Sequence, residues 1–395
     1  MLRARNLGLL ALAAGVLAGA AWWALSERAP EGAGDEGLLL PGFEDRIEAV
    51  DRIEVVGAGG KTLVAVVRVD GSWRMPDRLD WPGNQREISR ALFRLAGARK
   101  LEAKTANPGL YDRLGVEDVT GEDATGVELR LEGGGDPVRL VIGRNHPGLG
   151  GSYVRLADQA RSWLVDEDLS PARRPADWLD RRLVDLPMAL VAEVEVKPAE
   201  GQAFRLVRDR DGRFVLPAAP RTATVRMDEA SATAGVPDQL VLDDVAADDG
   251  SEPGQTLTWF ADDGVQLSIA LWQPEGQQTW ARLSARLDED KALAWYERAV
   301  RAEVKARAAE SGGGEGGAGT GAEEAADEAG VVEETEAAAD DTDTDVARAA
   351  AERVAARRAE IEAWQARFAG KRFLIPPYKA ANLLKGRADY LEARR

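Results

Sequence analysis

His146 is the single histidine of a chain of 395 residues, and Ser152 follows it by six positions in "GRNHPGLGGSY". A histidine close to a serine is the start of a general-base and nucleophile pair, which still requires a group to orient the imidazole. Ser152 opens an alternating strand pattern, so it reads as the first residue of a strand and His146 as a loop residue. One His and no Cys leave no nitrogen or sulfur donor set for a metal, and no thiolate. Asp341, Asp343, Asp345 and Glu352 occupy positions 1, 3, 5 and 12 of a calcium loop. Position 6 is Val346 where the sharp turn needs Gly, and position 8 is Arg348, so the acids at 343–345 read as the cap of a following helix. "GGGD" at 133–136 and "GLGGS" at 148–152 lack the Lys-Ser/Thr of a phosphate loop and the strand-to-helix setting of a dinucleotide site, and read as turns. The 68 acidic residues supply carboxylate pairs by chance, so none is singled out for glycosidic chemistry. Trp259, Trp272 and Trp280 lie on consecutive strand patterns, where aromatic faces can stack on sugars but more often build a core. No catalytic, cofactor-binding or metal-ligating residue is assigned, and the chain reads as non-enzymatic.

The elements that hold these residues belong to a folded protein, since 45% of the chain is hydrophobic. The formal charge is −17, and thirteen negative charges fall within 310–345, a stretch without Lys or Arg. The remainder therefore carries −17 + 13 = −4, and the acidity is local. Nucleic acid is excluded as a partner, because a phosphate backbone needs clustered cations. The absence of Cys fits an oxidising or a reducing compartment equally.

"MLRAR" precedes 19 uncharged residues at 7–25, close to the length of a membrane-spanning helix. Arg3 and Arg5 orient that helix with the bulk of the chain outside the cytoplasm, and Trp22 and Trp23 sit where an interfacial aromatic belt falls. Ala18-Gly19-Ala20 also offers a signal-peptidase site, which leaves a cleaved leader as the competing reading. The bilayer is thus a partner through a signal-anchor at 1–28, followed by a flexible tether at 29–42.

"RIEVVGAGGKTLVAVVRVDGSWRMP" from Arg52 and "EVEVKPAEGQAFRLVRDRDGRFVLP" from Glu193 align without a gap at a shift of 141. The alignment places Glu54 on Glu195, Val66 on Val207, Asp70-Gly71 on Asp211-Gly212 and Trp73 on Phe214. Each stretch reads as a three-stranded meander with an Asp-Gly turn. A helix-period segment "NQREISRALFRLAGARK" and a hairpin "GVELRLEGGGDPVRLVIG" follow the first; "VRMDEASATAGVPDQL" and "QTLTWFADDGVQLSIAL" take their places in the second. Trp259 and Trp280 then correspond to Leu131 and Tyr153, whose alternation points inward. The expected fold class is α+β: two tandem, mostly antiparallel β-rich repeats, each with a packed helix, at 43–182 and at 183–285 with 371–395. Six residues separate Leu156 from Trp163, but 89 separate Leu283 from Phe373. The surplus, 286–370, reads as two helical arms around a disordered acidic loop at about 310–345. The sheet should not need that insertion.

This order of elements resembles the bacterial family called domain of unknown function 4340. The resemblance rests on "DRIEVVGAGGKTLVAVVRVDGSWRM", "NPGLYDRLGVED", "VELRLEGGGDPVRLVIGR", "GGSYVRLADQARSWLVDEDL" and "PADWLDRRLV". It covers about 43–215 well and "RFLIPPYKAANLLKGRADYL" more loosely. It implies one N-terminal membrane helix, a β-rich extracytoplasmic region at a bacterial inner membrane, and an accessory or scaffold role beside an ABC-type transport or gliding-motility assembly. Other envelope or transporter proteins would be its partners. The alternative is an envelope hydrolase or glycan-binding module.

Overall fold

The computed structural model describes residues 37–217, 219–220, 222–273, 278–312 and 331–393. The segment at 7–25 read as an anchor lies outside the described residues. Among them, no helix is long and apolar enough to cross a membrane. The chain divides into two compact units, Met1–Asp180 and Arg181–Arg395.

Unit 1 holds β1 (Arg52–Val56), β2 (Thr62–Val69), β3 (Ser72–Met75), β4 (Trp81–Pro82), α1 (Gln85–Gly97), β5 (Lys100–Ala103), β6 (Val127–Glu132), β7 (Val138–Asn145), β8 (Ser152–Leu156) and β9 (Ser162–Val165). They form one nine-stranded sheet in the order β4-β3-β2-β1-β6-β7-β8-β9-β5. Unit 2 holds β10 (Arg182–Val184), β11 (Val191–Pro198), β12 (Phe204–Arg208), β13 (Phe214–Val215), β14 (Ala223–Val225), α2 (Met227–Ala234), β15 (Leu240–Val241) and β16 (Asp244–Ala247). It continues with β17 (Gln255–Ala261), β18 (Val265–Trp272), β19 (Thr279–Leu287), α3 (Glu289–Gly312), α4 (Val331–Phe368), β20 (Lys371–Ile375), α5 (Pro377–Leu383) and β21 (Leu391–Ala393). Its main sheet runs β13-β12-β11-β17-β18-β19-β20-β16, with β10 paired to β15 and β14 to β21. The protein is α+β with antiparallel sheets.

The eight-strand order of unit 2 matches eight of the nine strands of unit 1, place for place. Register makes the match residue-specific: Ile53 pairs with Leu131 on β1–β6, and Val194 pairs with Trp259 on β11–β17. The gapless shift of 141 needs one correction. Ile53 also faces Val66 on β2, whereas Val194 faces Leu206 on β12, so Val66 corresponds to Leu206 and not to Val207. A bulge at Val55/Val56 gives the first hairpin of unit 1 an extra residue, and the second hairpin of unit 2 recovers it. In the matching hairpin of unit 1, between β2 and β3, Asp70 and Gly71 both have positive φ, as a two-residue hairpin turn requires. Asp211 does not, and Asp209 instead accepts from the Asp211 and Arg213 amides to close a longer turn. One Asp-Gly pair thus serves two turn geometries.

One face of each sheet is apolar. Val55, Val66, Leu131, Leu140 and Trp73 are buried in unit 1, as are Val194, Leu206, Phe214, Trp259 and Phe373 in unit 2. α1 lays Ile88, Leu92 and Leu95 inward, and the Asn84 side chain caps it by accepting from the Glu87 amide at 3.3 Å.

The insertion departs from expectation in two ways. α4 begins at Val331, so the acids at 343–345 lie inside a helix rather than in a loop or at a cap. Packing against α3 overrides their weak helix propensity, with Arg301 reaching Asp343 at 3.3 Å and Arg353 reaching Glu303 at 2.8 Å. The C-terminal half of α4 also belongs to the core of unit 2. Ile361, Trp364 and Phe368 are buried, Phe368 meets Phe373 edge-on, and Arg357 pairs at 2.8 Å with Asp263, whose side chain is 2% exposed, in the β17–β18 turn. The sheet therefore does use part of the insertion.

Two expectations follow. Trp73→Ala and Phe214→Ala should each cost about 3–5 kcal/mol, and the losses should add because the sites lie in different units; denaturant unfolding of the single and double variants measures this. Arg357→Ala should cost about 3–5 kcal/mol by leaving Asp263 buried without its cation. The double variant Asp263→Ala/Arg357→Ala should recover much of that loss in the same assay, and full additivity would mean that the pair does not couple.

Candidate functional site

A concavity with mostly apolar walls lies in unit 1, between α1 and the segment that leaves β9. Main-chain bonds bring that segment home: the Asn84 amide donates to the Trp178 oxygen at 2.7 Å and the Asp180 amide to the Pro82 oxygen at 2.8 Å. The Trp178 indole donates to the Ala172 oxygen at 2.9 Å. A second tie starts at Ser152, which is wholly buried. Its hydroxyl donates to Asn145 Oδ1 at 2.7 Å and accepts from the Leu169 amide at 2.9 Å, while its own amide donates to the Glu167 oxygen. Gly151 is required here by close approach, because a Cβ would stand 1.7 Å from the Val165 oxygen. Ser170 completes the loop, its amide on Asp168 Oδ1 at 2.9 Å and its hydroxyl on Asn145 Oδ1 at 3.2 Å.

Behind this loop is a cavity of about 240 Å³ walled by Ala91, Leu95, Leu129, Leu169, Ala172 and Trp178. Its rim carries Glu87, Arg94, Asp168 and Asp177. Both Glu87 oxygens accept from Arg90, and both Asp177 oxygens from Arg174. Burial acts to raise the Asp168 carboxyl, but the Ser170 amide and hydroxyl, Asn145 and Arg94 outweigh it and hold that carboxyl below the usual carboxylate range. Among the described residues Arg94 meets one hydrogen-bond acceptor, the Asp168 main-chain oxygen at 3.3 Å from Nη1.

Unit 2 closes the same place. The Arg226 amide donates to the Tyr390 oxygen at 2.9 Å, which makes Arg226 the counterpart of Asn84 and Tyr390 that of Trp178. Counting along the helices, Thr233 stands where Ala91 does and Glu229 where Glu87 does. Thr233 is sealed in: its hydroxyl donates to the Asn382 oxygen and accepts from the Tyr390 hydroxyl, each at 2.9 Å. Burial pushes the Tyr390 phenol up to about 12, against the smaller opposite effect of the Thr233 bond. Lys385 pairs with Glu229, and Ala380 and Leu383 of α5 are buried over the site. Unit 1 has no helix between β9 and Pro175.

The residues singled out by sequence do not converge. His146 Nδ1 accepts from the Gly148 and Leu149 amides at 3.1 Å, and its ring meets Tyr153 edge-on, so it organises its own loop. Ser152 is bonded to Asn145 and Leu169 instead. "GGGD" forms the β6–β7 turn, held by Arg46 on the Gly134 oxygen at 2.8 Å. Asp343, Asp345 and Glu352 share one α-helix, whose 100° per residue points 343 and 345 apart, so they cannot wrap an ion; Asp345 pairs with Arg348 at 2.8 Å. No group of three or more His, Cys, Asp or Glu among the described residues could hold a metal. Trp259 is fully buried and donates to the Ala234 oxygen. Trp280, expected to point inward, alternates with the buried Thr279 and Ala281 and lies on the opposite face. Arg372 covers Trp280 at 4.9 Å and Arg282 covers Trp272 at 5.6 Å, which occupies faces a sugar would need. The cavity was missed because Ala91, Leu95 and Leu129 read as ordinary core positions.

Fold and site together define a duplicated antiparallel α+β protein with an open cavity in its first copy. A family described as "Domain of unknown function (DUF4340)" matches residues 73–255, so this part of the chain is similar to that family. The match runs from β3 of unit 1 to the first residue of β17 in unit 2, so it crosses from one copy into the next. No curated protein and no solved structure matches the chain.

If Ser152 is the pin of the cavity loop, Ser152→Ala should destabilise unit 1 by about 1–3 kcal/mol through the orphaned Leu169 amide. Amide exchange at Leu169 and Ser170 should accelerate. Because the folded Asp168 value is lowered, its contribution is complete above the unfolded value of about 3.9 and fades as pH falls through the lowered one. Protection at Ser170, the intrinsic exchange rate divided by the observed one at the same pH, should therefore fall towards acid in the wild type and lose this pH dependence in Asp168→Asn.

Proposed function

We propose that this is a non-enzymatic, membrane-anchored, extracytoplasmic protein of a bacterial envelope, built as two tandem repeats and acting as a scaffold or accessory subunit of an ABC-type transport or gliding-motility-like assembly. The observation that carries the reading is the α3–α4 pair. Where unit 1 joins two strands with six residues, unit 2 inserts two long helices whose first member alone spans about 36 Å at 1.5 Å per residue. Ala292, Val300, Val346, Ala350 and Val354 are buried, while residues 301–308 are exposed throughout. The helices thus bury much of their apolar stripes against one another, while Leu293 and Val304 of α3 stay exposed among charged residues on the surface left for contact. Arg357 and Asp263 fix the base of the pair to the sheet. Such a fixed arm presents a surface to another protein, and the apolar segment at 7–25 would hold the molecule at a membrane.

The test places a photo-crosslinking residue at Arg298, Arg301 or Lys305 of the full chain in its native cells. Crosslinks to an integral-membrane permease or its ATPase are expected, with the protein retained by membranes after a carbonate wash and its N-terminus at Met1 or Leu2. A mature N-terminus at Ala21 would remove the anchor, and capture of envelope glycan in place of protein would favour the hydrolase or glycan-binding alternative.

A further inference from the structure

We propose that the unit 1 cavity is a binding site for a small amphiphile with a carboxylate head and an apolar tail, a reading independent of the anchor and of the helical pair. Three observations carry it. The first is the contrast between the copies. Ala91 and Trp178 stand where unit 2 has Thr233 and Tyr390, and unit 2 fills the intervening space with Ala380 and Leu383 of a helix that unit 1 lacks. A fold that can close this place with its own side chains leaves it open in one copy only.

The second is the lining. Leu95, Leu129, Leu169 and the Trp178 indole surround about 240 Å³, and the Trp178 N–H is already satisfied by Ala172, so the wall offers apolar surface and asks for no polar partner. An apolar cavity of about 150 Å³ accepts benzene, and on that scale this one takes a tail of roughly eight to ten carbons.

The third is the charge at the mouth. Three carboxylates and one guanidinium stand on the rim, which at first sight favours a cation. Their bonding reverses that. Glu87 is held through both oxygens by Arg90, Asp177 through both oxygens by Arg174, and Asp168 by the Ser170 amide. Arg94 acts on the Asp168 carboxyl through space only and gives one bond, at 3.3 Å to a main-chain oxygen, which leaves the N–H groups of its fork to meet a carboxylate. The head sits at the rim and the tail behind it, between α1 and the sheet.

Purified full-length protein is titrated by calorimetry with octanoate, octylamine and octanol, each below its aggregation limit. Octanoate should saturate a single site. Arg94→Gln should weaken octanoate at least tenfold while leaving octanol within about twofold, since only the head loses its partner. Ala91→Trp, which fills the cavity from the helix side, should abolish binding of both. Unfolding midpoints of the variants guard against loss of fold, and if Ala91→Trp does not fold, Leu129→Phe fills the same space from the sheet. Absence of saturable octanoate binding overturns the proposal, as does octylamine binding as tightly as octanoate. Unchanged octanoate affinity in a folded, cavity-filled variant overturns it too, by placing the ligand elsewhere.

Discussion

A wide antiparallel sheet with one apolar face, and too little helix to cover it, is the constraint from which the rest of this structure follows. Strands lie about 4.8 Å apart, so nine of them span about 38 Å between the outer two. Among the described residues, the one α-helix of unit 1 has 13 residues, about 20 Å long and about 10 Å across. The remaining apolar surface must be buried by something else, because leaving it wet costs roughly 25 cal/mol for every Å².

The two units answer this differently from the same plan. In both, the chain returns after its last long strand and places a main-chain oxygen, that of Trp178 or Tyr390, on the amide that precedes the helix. That bond decides where the returning segment lies and therefore what it can cover. In unit 2 the segment contains α5, which seals the region with Leu383 and Ala380, and α4 adds Ile361, Trp364 and Phe368 at the other end of the sheet. In unit 1 the segment is a loop pinned by Ser152 and Asn145, and what it fails to fill is the cavity.

Polar residues within these units chiefly hold positions. Glu128 is 3% exposed and lies between Arg130 and Arg139; burial alone would raise its carboxyl, yet the two guanidinium groups hold it below the usual range. Arg155 is buried and reaches the Val116 oxygen at 2.9 Å, fastening the 108–119 segment to the outer side of β8. The buried Asp263–Arg357 pair does the same for α4. Each joins segments distant in sequence, which apolar contact alone would not hold in one register.

Alternation of apolar and polar residues was enough for the sequence alone to determine the class of fold, the placement of both helices and the correspondence of Trp259 with Leu131, because the period of a strand and the period of a helix are local properties. Those same local signals left His146 in a loop and the glycine runs in turns. Only the tertiary structure decided that Val66 matches Leu206, since a bulge in one hairpin and a longer turn in the next cancel in the alignment. It also decided that Trp280 faces away from the core, that the acids at 343–345 are helical, and that α4 belongs to the sheet. Burial depends on which distant segment arrives above a residue, and no local period encodes that. The cavity is the clearest case: Ala91, Leu129 and Trp178 carry the same pattern as their sealed counterparts, and the difference lies in whether a helix or a loop comes back across them.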